Sequence, residues 1–272
     1  MDGKSIIYTI GYTSFQTSRG VDLDGMFGIL RDLCVTHLID VRSIPFSKQY
    51  PECNANYLKE FCKHSPYGTR YGHMPELGAK VLPVQEVFSK AEEIFFDDIF
   101  PIAKSNRPEK TKLQKDDEIV DFSKFRNSEN LKDGLRRIER AYDQNYTIAL
   151  MCSEKDPVDC HRYFLVSRKL EQEFGNWLRV VHITKNKADD IITLTNDEVN
   201  KELSKIVLNR TEIKKLDVLT PTLLEPAKID KYFGSTQKEQ ILDFCDRYWN
   251  LMHGWKKYPQ MTTNTQEYDY FV

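Results

Sequence analysis

No run of about 18 apolar residues occurs in the 272-residue chain, so it offers no candidate for a membrane-spanning helix. Nor does one charge dominate. The formal net charge is −2, and average electrostatics gives no support to non-specific attraction for nucleic acid or an anionic membrane. The start, Met1-Asp2-Gly3-Lys4-Ser5, lacks the charged head and apolar stretch of a secretory signal. The expected location is therefore cytoplasmic. On that expectation the six cysteines, at 34, 53, 62, 152, 160 and 245, read as reduced thiols rather than a disulfide framework. Several suit small buried hydrophobes. No internal repeat is visible.

What is present suits a folded domain with an extension. Hydrophobic residues make up 40% of the chain, enough for a sizeable core. Ile6-Ile7-Tyr8-Thr9-Ile10 reads as a buried strand ended by Gly11. Leu23, Met26, Phe27, Leu30, Leu33 and Cys34 then recur at three- and four-residue steps, one apolar helix face. His37-Leu38-Ile39-Asp40-Val41 is the next strand, stopped near Pro45. Strand, helix, strand in so short a span predicts a parallel βαβ unit with a right-handed crossover. Asn54 is placed to cap a short helix carrying Tyr57, Leu58 and Phe61. Val84, Val87, Phe88, Ala91, Ile94 and Phe95 predict a further helix, and the polar stretch 104–124 a loop or insertion.

Leu131, Leu135, Ile138 and Tyr142 return to helical spacing. Tyr146 to Met151 is the strongest strand signal, followed by a helix over about 160–174 and a strand over 179–183. The alternation predicts an α/β fold: an open, mostly parallel sheet flanked by helices. The first domain is expected over 1–190. A helical C-terminal extension over 191–272 carries Val199, Leu203, Ile206 and Val207, then Ile241, Cys245, Tyr248 and Met252.

In open α/β sheets ligands bind where loops leave the carboxyl ends of strands. Three loops there stand out. Asp40 and Arg42 are two apart and leave their strand in the same direction. They are either a preorganised polar site or an ion pair that closes the strand end. His73-Met74-Pro75-Glu76-Leu77-Gly78 offers an imidazole and a carboxylate for acid–base work, or a local hydrogen bond. Cys152-Ser153-Glu154 through Cys160-His161-Arg162 follows the strongest strand and opens a helix. A helix start beside an arginine favours anions and thiolates. Three chemistries compete for this loop. A thiolate nucleophile is one. A metal or haem site on Cys152, Cys160 and His161 is another, although seven intervening residues fit no standard zinc knuckle. The third is a phosphate or carboxylate clamp with Glu154 or Asp40 as base or nucleophile. Buried packing of both cysteines is the plain alternative.

Taken in order, these segments resemble the DUF488 family. Tyr8-Thr9-Ile10-Gly11-Tyr12 is similar to its first-strand motif. Asp40-Val41-Arg42 with Pro45 and Ser47, and His73-Met74-Pro75-Glu76-Leu77-Gly78, resemble its next two. Met151-Cys152-Ser153-Glu154 with Cys160-His161-Arg162, and His182-Ile183, complete the set. The resemblance covers about residues 6–184. It implies the fold and the site, and no reaction, since the family name records unknown function. A looser similarity is to rhodanese domains, which share Asp-x-Arg, Gly-His-x-Pro and a cysteine on a strand-to-helix loop. Arg162 lies ten positions after Cys152, a departure from their short cradle.

The leading expectation is an enzyme, a hydrolase or transferase, on a phosphate-bearing small molecule or nucleic acid. Its catalytic candidates are Asp40, Glu76, Cys152, Glu154 and His161. Its substrate-binding candidates are Tyr12, Arg42, Ser47, His73, Cys160 and Arg162. The second expectation is a non-catalytic nucleic-acid-binding module. Tyr232, Phe233, Tyr248, Trp249, Trp255, Lys256, Lys257 and Tyr258 would supply its stacking and phosphate contacts. The third is the metal- or haem-binding protein. The sequence names no cofactor and no oligomeric state.

Overall fold

The structure, a computed structural model, describes residues 4–79, 88–90, 118–210 and 246. The chain divides into two compact units. The first holds, among described residues, 4–79 and 128–196; the second holds 88–90, 118–127, 197–210 and 246.

The first unit is a six-stranded sheet. Its strands are β1 (Ser5–Gly11), β2 (His37–Asp40), β3 (Arg70–His73), β4 (Ile148–Cys152), β5 (Leu178–Lys185) and β6 (Ile191–Thr195). Their spatial order is β6-β5-β1-β4-β2-β3. All neighbours are parallel except β6, which runs antiparallel to β5. The expected α/β class holds. β6 falls at the start of the span 191–272 expected as a helical extension. Ile191-Ile192-Thr193-Leu194-Thr195 is rich in β-branched residues, and its ladder to β5 outweighs the polar context.

Helices α1 (Leu23–Asp32) and α2 (Ala55–His64) cover one face. Met26, Phe27, Leu30 and Leu58 pack there with Ile10, Leu38, Ala149 and Met151, all fully buried. Burying such side chains supplies roughly 1.5–3 kcal/mol each before entropy costs. Asp22 caps α1 by accepting from the Gly25 N–H at 2.9 Å. Asn54 stands at the start of α2 but does not cap it: its Oδ1 accepts instead from the Ser47 N–H. The side chain is thus spent on the loop after β2.

Helix α3 (Glu129–Asp143), capped by Ser128, precedes β4. All five residues of β4 are buried, as a central strand covered on both faces requires. Between β4 and α4 (Arg168–Phe174) the chain makes a π-helical turn over Arg162–Ser167. The expected helix over 160–174 therefore begins as a widened turn, in which the Ser167 hydroxyl donates to the Arg162 carbonyl at 2.7 Å. Such turns recur at functional sites.

In the second unit Phe88–Lys90 pairs antiparallel with Glu118–Val120. That is a strand where helical spacing had been read, and it gives structure to one end of the polar 104–124 stretch. A short helix, Phe122–Phe125, follows. Arg126 pairs with Asp246. Helix α5 spans Asn196–Arg210, its first residue belonging to the first unit, with Val199 and Leu203 buried.

Candidate functional site

Register aligns the strand ends. Gly11 lies opposite Cys152, Met151 opposite Asp40, and Asp40 opposite His73. The loops leaving β1, β4, β2 and β3 therefore start at one level of the sheet edge.

The loop after β2 closes on itself. Asp40 Oδ1 accepts from Arg42 Nε at 2.9 Å and from the Arg42 backbone N–H at 3.0 Å. Its Oδ2 accepts from Arg42 Nη2 at 2.6 Å and from the Tyr71 hydroxyl at 2.8 Å. Arg42 Nη2 also donates to the Cys53 carbonyl at 2.7 Å, and the guanidinium lies 5.2 Å from the Tyr12 ring centre. Asp40 is fully buried and Arg42 only 7% exposed. Burial opposes the Arg42 charge, yet hydrogen bonding to Asp40 and its charge hold that pKa above its ordinary value. Burial first, then Asp40, pushes the Tyr71 phenol far up. Burial also raises buried Tyr12. Of the two sequence readings for this pair, the geometry is that of the strand-closing ion pair. Ser47 is likewise occupied with its own loop, its hydroxyl accepting from the Tyr50 N–H at 3.0 Å.

The loop after β3 does not make a His–Glu pair. His73 Nε2 donates to the Arg42 carbonyl at 2.7 Å. Glu76 turns to Arg137 on α3. Glu76 thus makes a surface ion pair, the ordinary fate of a carboxylate within reach of a helical arginine.

The loop after β4 gathers the chemistry. Cys152 Sγ lies 2.9 Å from Glu154 Oε2 and 3.6 Å from His161 Nδ1. Cys160 Sγ lies 3.1 Å from the same Glu154 oxygen. One donor atom from each of Cys152, Glu154, Cys160 and His161 falls within 4.8 Å of all the others. The cysteines and His161 are buried; Glu154 is half-buried. His161 Nε2 donates to the Val41 carbonyl at 3.1 Å, which turns Nδ1 toward the sulfurs.

Charges in the cluster set one another. Burial pushes the Cys160 thiol well up, reinforced by Cys152. Cys152 meets the same burial, but hydrogen bonding to Cys160 and the His161 charge bring it down to about 6. Burial disfavours the His161 cation, and Cys152 overcomes it, to about 9. Burial likewise disfavours ionised Glu154, and the charge of His161 with hydrogen bonds from both thiols takes it down to about 2. Three acidic groups thus lean on one imidazole.

Arg162 does not join them. It is fully buried, with Nη1 donating to the Glu154 carbonyl and Nη2 to the Lys155 carbonyl at 2.9 Å. Its backbone N–H points to Cys160 Sγ at 3.4 Å. Arg162 is a brace for the loop, where an anion clamp with Arg42 was expected. Both guanidiniums donate mostly to protein acceptors, but Arg42 Nη1 and Arg162 Nε are buried without a hydrogen-bond partner. Thr13 also holds this loop, its hydroxyl donating to the Ser153 carbonyl at 2.6 Å.

The three loops meet through backbone. His161 and His73 hold the consecutive carbonyls of Val41 and Arg42. Two contributors were not singled out from sequence. Tyr71 completes the Asp40 network, and no sequence spacing signals it. Gly11 permits a close approach: a Cβ there would stand 1.7 Å from the Glu154 carbonyl oxygen. Its place at the end of β1 was the available signal. The aromatic and lysine residues between 232 and 258, offered as a nucleic-acid surface, lie outside the described residues.

A family model described as "Domain of unknown function DUF488" matches residues 22–98 and 102–168. These segments include all three loops. No curated protein and no solved structure matches the chain.

Proposed function

The chain belongs to the DUF488 family, and from that premise we propose that it is an enzyme whose reactive centre is the Cys152, Glu154, Cys160 and His161 cluster. Its chemistry is polar bond cleavage or group transfer, hydrolysis in the simplest case. One observation carries this reading: four side chains able to hold or move protons, or to attack, stand within 4.8 Å of one another at the carboxyl end of β4. Burying two thiols, a carboxylate and an imidazole together is costly. Such costs concentrate at reaction sites.

Roles follow from exposure. Glu154 is the half-buried member and handles protons at the substrate side. Cys152, Cys160 and His161 form the floor beneath it. The phosphate-bearing substrate expected from sequence relied on Arg42 and Arg162, whose N–H groups are largely committed to Asp40 and to carbonyls. Anion recognition by these arginines therefore forms no part of the proposal.

The test is to assay the full chain against ester, amide, glycosidic and phosphoester substrates and carry the activity found into Glu154→Gln and His161→Asn. Each variant is expected to lose about 10²-fold or more in kcat/KM, with Glu154→Gln still unfolding in one cooperative denaturant transition. Wild-type turnover in both would sink the reading.

A further inference from the structure

We infer that Cys152, Cys160 and His161 are ligands of one divalent transition-metal ion, zinc by the softness of the donors, with Glu154 in an exchangeable fourth position. The inference rests on the reading that this cluster is the working site, and names the ion that works there.

Geometry comes first. Zinc bonds of about 2.0–2.3 Å arranged tetrahedrally place ligand atoms roughly 3.3–3.8 Å apart. Cys152 Sγ and His161 Nδ1 are 3.6 Å apart, within that range; Glu154 Oε2 lies closer to the sulfurs, at 2.9 and 3.1 Å, and all four donors fall within 4.8 Å, so an ion would draw the ligands into place by shifts of about 1 Å or less. The outer contacts fit as well. A ligating histidine ordinarily donates its other ring N–H to a carbonyl or carboxylate, and His161 Nε2 does so to Val41. The backbone N–H of Arg162 approaches Cys160 Sγ, the kind of support that steadies a bound thiolate.

The donor chemistry agrees with the distances. Asp40 is buried beside a guanidinium that answers it. The cluster has three acidic groups and one imidazole, while Arg162 spends its Nη groups on carbonyls. A divalent ion would bind both sulfurs as thiolates. The spacing fits no zinc knuckle because the donors come from a strand end, the loop after it and the edge of a π-turn. Three buried ligands with a less fully buried, exchangeable fourth match a catalytic site better than a closed structural one.

The experiment uses the untagged full chain, purified under reducing conditions. Elemental analysis is expected to give about one equivalent of zinc or iron, and cobalt(II) added to chelator-treated protein the near-ultraviolet thiolate band and visible bands of tetrahedral coordination. Cys152→Ser, Cys160→Ser and His161→Asn each bring metal below about a tenth of an equivalent, whereas Glu154→Gln keeps about one equivalent and shifts the visible bands. Should a cysteine variant fail to fold, the cobalt titration of the wild-type chain decides. Folded wild-type protein that takes up under about a tenth of an equivalent of added zinc and gives no thiolate band overturns the metal site. In that case loss of turnover in Glu154→Gln would still leave the reactive centre standing, so the two claims fail separately.

Discussion

Two polar centres sit side by side at the same sheet edge, and they are built to opposite rules. Around Asp40 each oxygen is answered: Arg42 doubly, Tyr71 once, and the Arg42 backbone N–H. Around Cys152 the acidic groups outnumber the bases, and the nearest arginine turns to carbonyls. Both centres are buried, so burial alone does not separate a structural network from a reactive one. The local balance of charge and hydrogen bonds does. The Asp40 carboxylate is fully answered, and the pair leaves a single buried donor, Arg42 Nη1, without a partner, whereas the Cys152 cluster crowds several acidic groups into one space.

Substitution can break this contrast. The largest effect is expected at Arg42. Arg42→Ala strands a buried carboxylate and should cost about 3–5 kcal/mol in denaturant unfolding. Arg42→Lys should not restore it, because a lysine cannot reproduce the two-pronged contact. A loss under about 1 kcal/mol would mean that the balanced centre is not structural.

Gly11→Ala comes next and joins the two regions. Its Cβ would collide with the Glu154 carbonyl, so the loop must move, at about 1–3 kcal/mol. Metal content and turnover should fall with it; wild-type values for both would show that the loop position is unimportant. Tyr71→Phe should cost about 1–2 kcal/mol, since Asp40 Oδ2 keeps Arg42 and loses only the hydroxyl. Glu154→Gln should cost about 1–2 kcal/mol in metal-free protein, because the His161 charge and the thiol hydrogen bonds favour its ionised form. Stability lost there on the Arg42 scale would erase the distinction between the centres.

The last prediction concerns pH and lies on β5. His182 is fully buried and neutral, its Nδ1 bonded to the Thr9 hydroxyl at 2.7 Å and its Nε2 to Asn196 Oδ1 at 2.7 Å. Burial takes its pKa from 6.5 down to about 3. The unfolded chain therefore binds the proton more readily across that window. Its contribution is intact above pH 6.5 and is lost as pH falls from there toward 3. His182→Gln should flatten the fall of the unfolding midpoint between neutral pH and about pH 4. An unchanged slope would show that another group carries the acid sensitivity.

Much of the first unit was legible in the sequence because its signals are local. The three- and four-residue steps from Leu23 to Leu30 give one apolar helix face, which is buried in the core with the sheet. The apolar run Ile148–Cys152 suits a strand covered on both sides. Ile191–Thr195 was missed because a short polar-flanked edge strand gains its stability from β5, which no window around it contains. The loops carrying Asp40, His73 and Cys152 were also legible as chemistry. Their assignments were not. Glu76 was paired in sequence with its neighbour His73, and in space it meets Arg137, 61 residues away. Arg162 looked like an anion ligand because its charge is plain in sequence, whereas the carbonyls that absorb its N–H groups carry no letter.

The sequence by itself determined the alternating strands and helices, the parallel sheet and the three loops at its edge, since periodicity and turn residues act over short range. Only the tertiary structure decided which side chain meets which: that Arg42 answers Asp40, that His161 and His73 hold adjacent carbonyls, and that Cys152, Glu154, Cys160 and His161 share one small space. The reason is physical. Hydrogen bonds and charge pairs are settled at separations of about 3–4 Å, and the register and crossovers that create those separations belong to the whole fold.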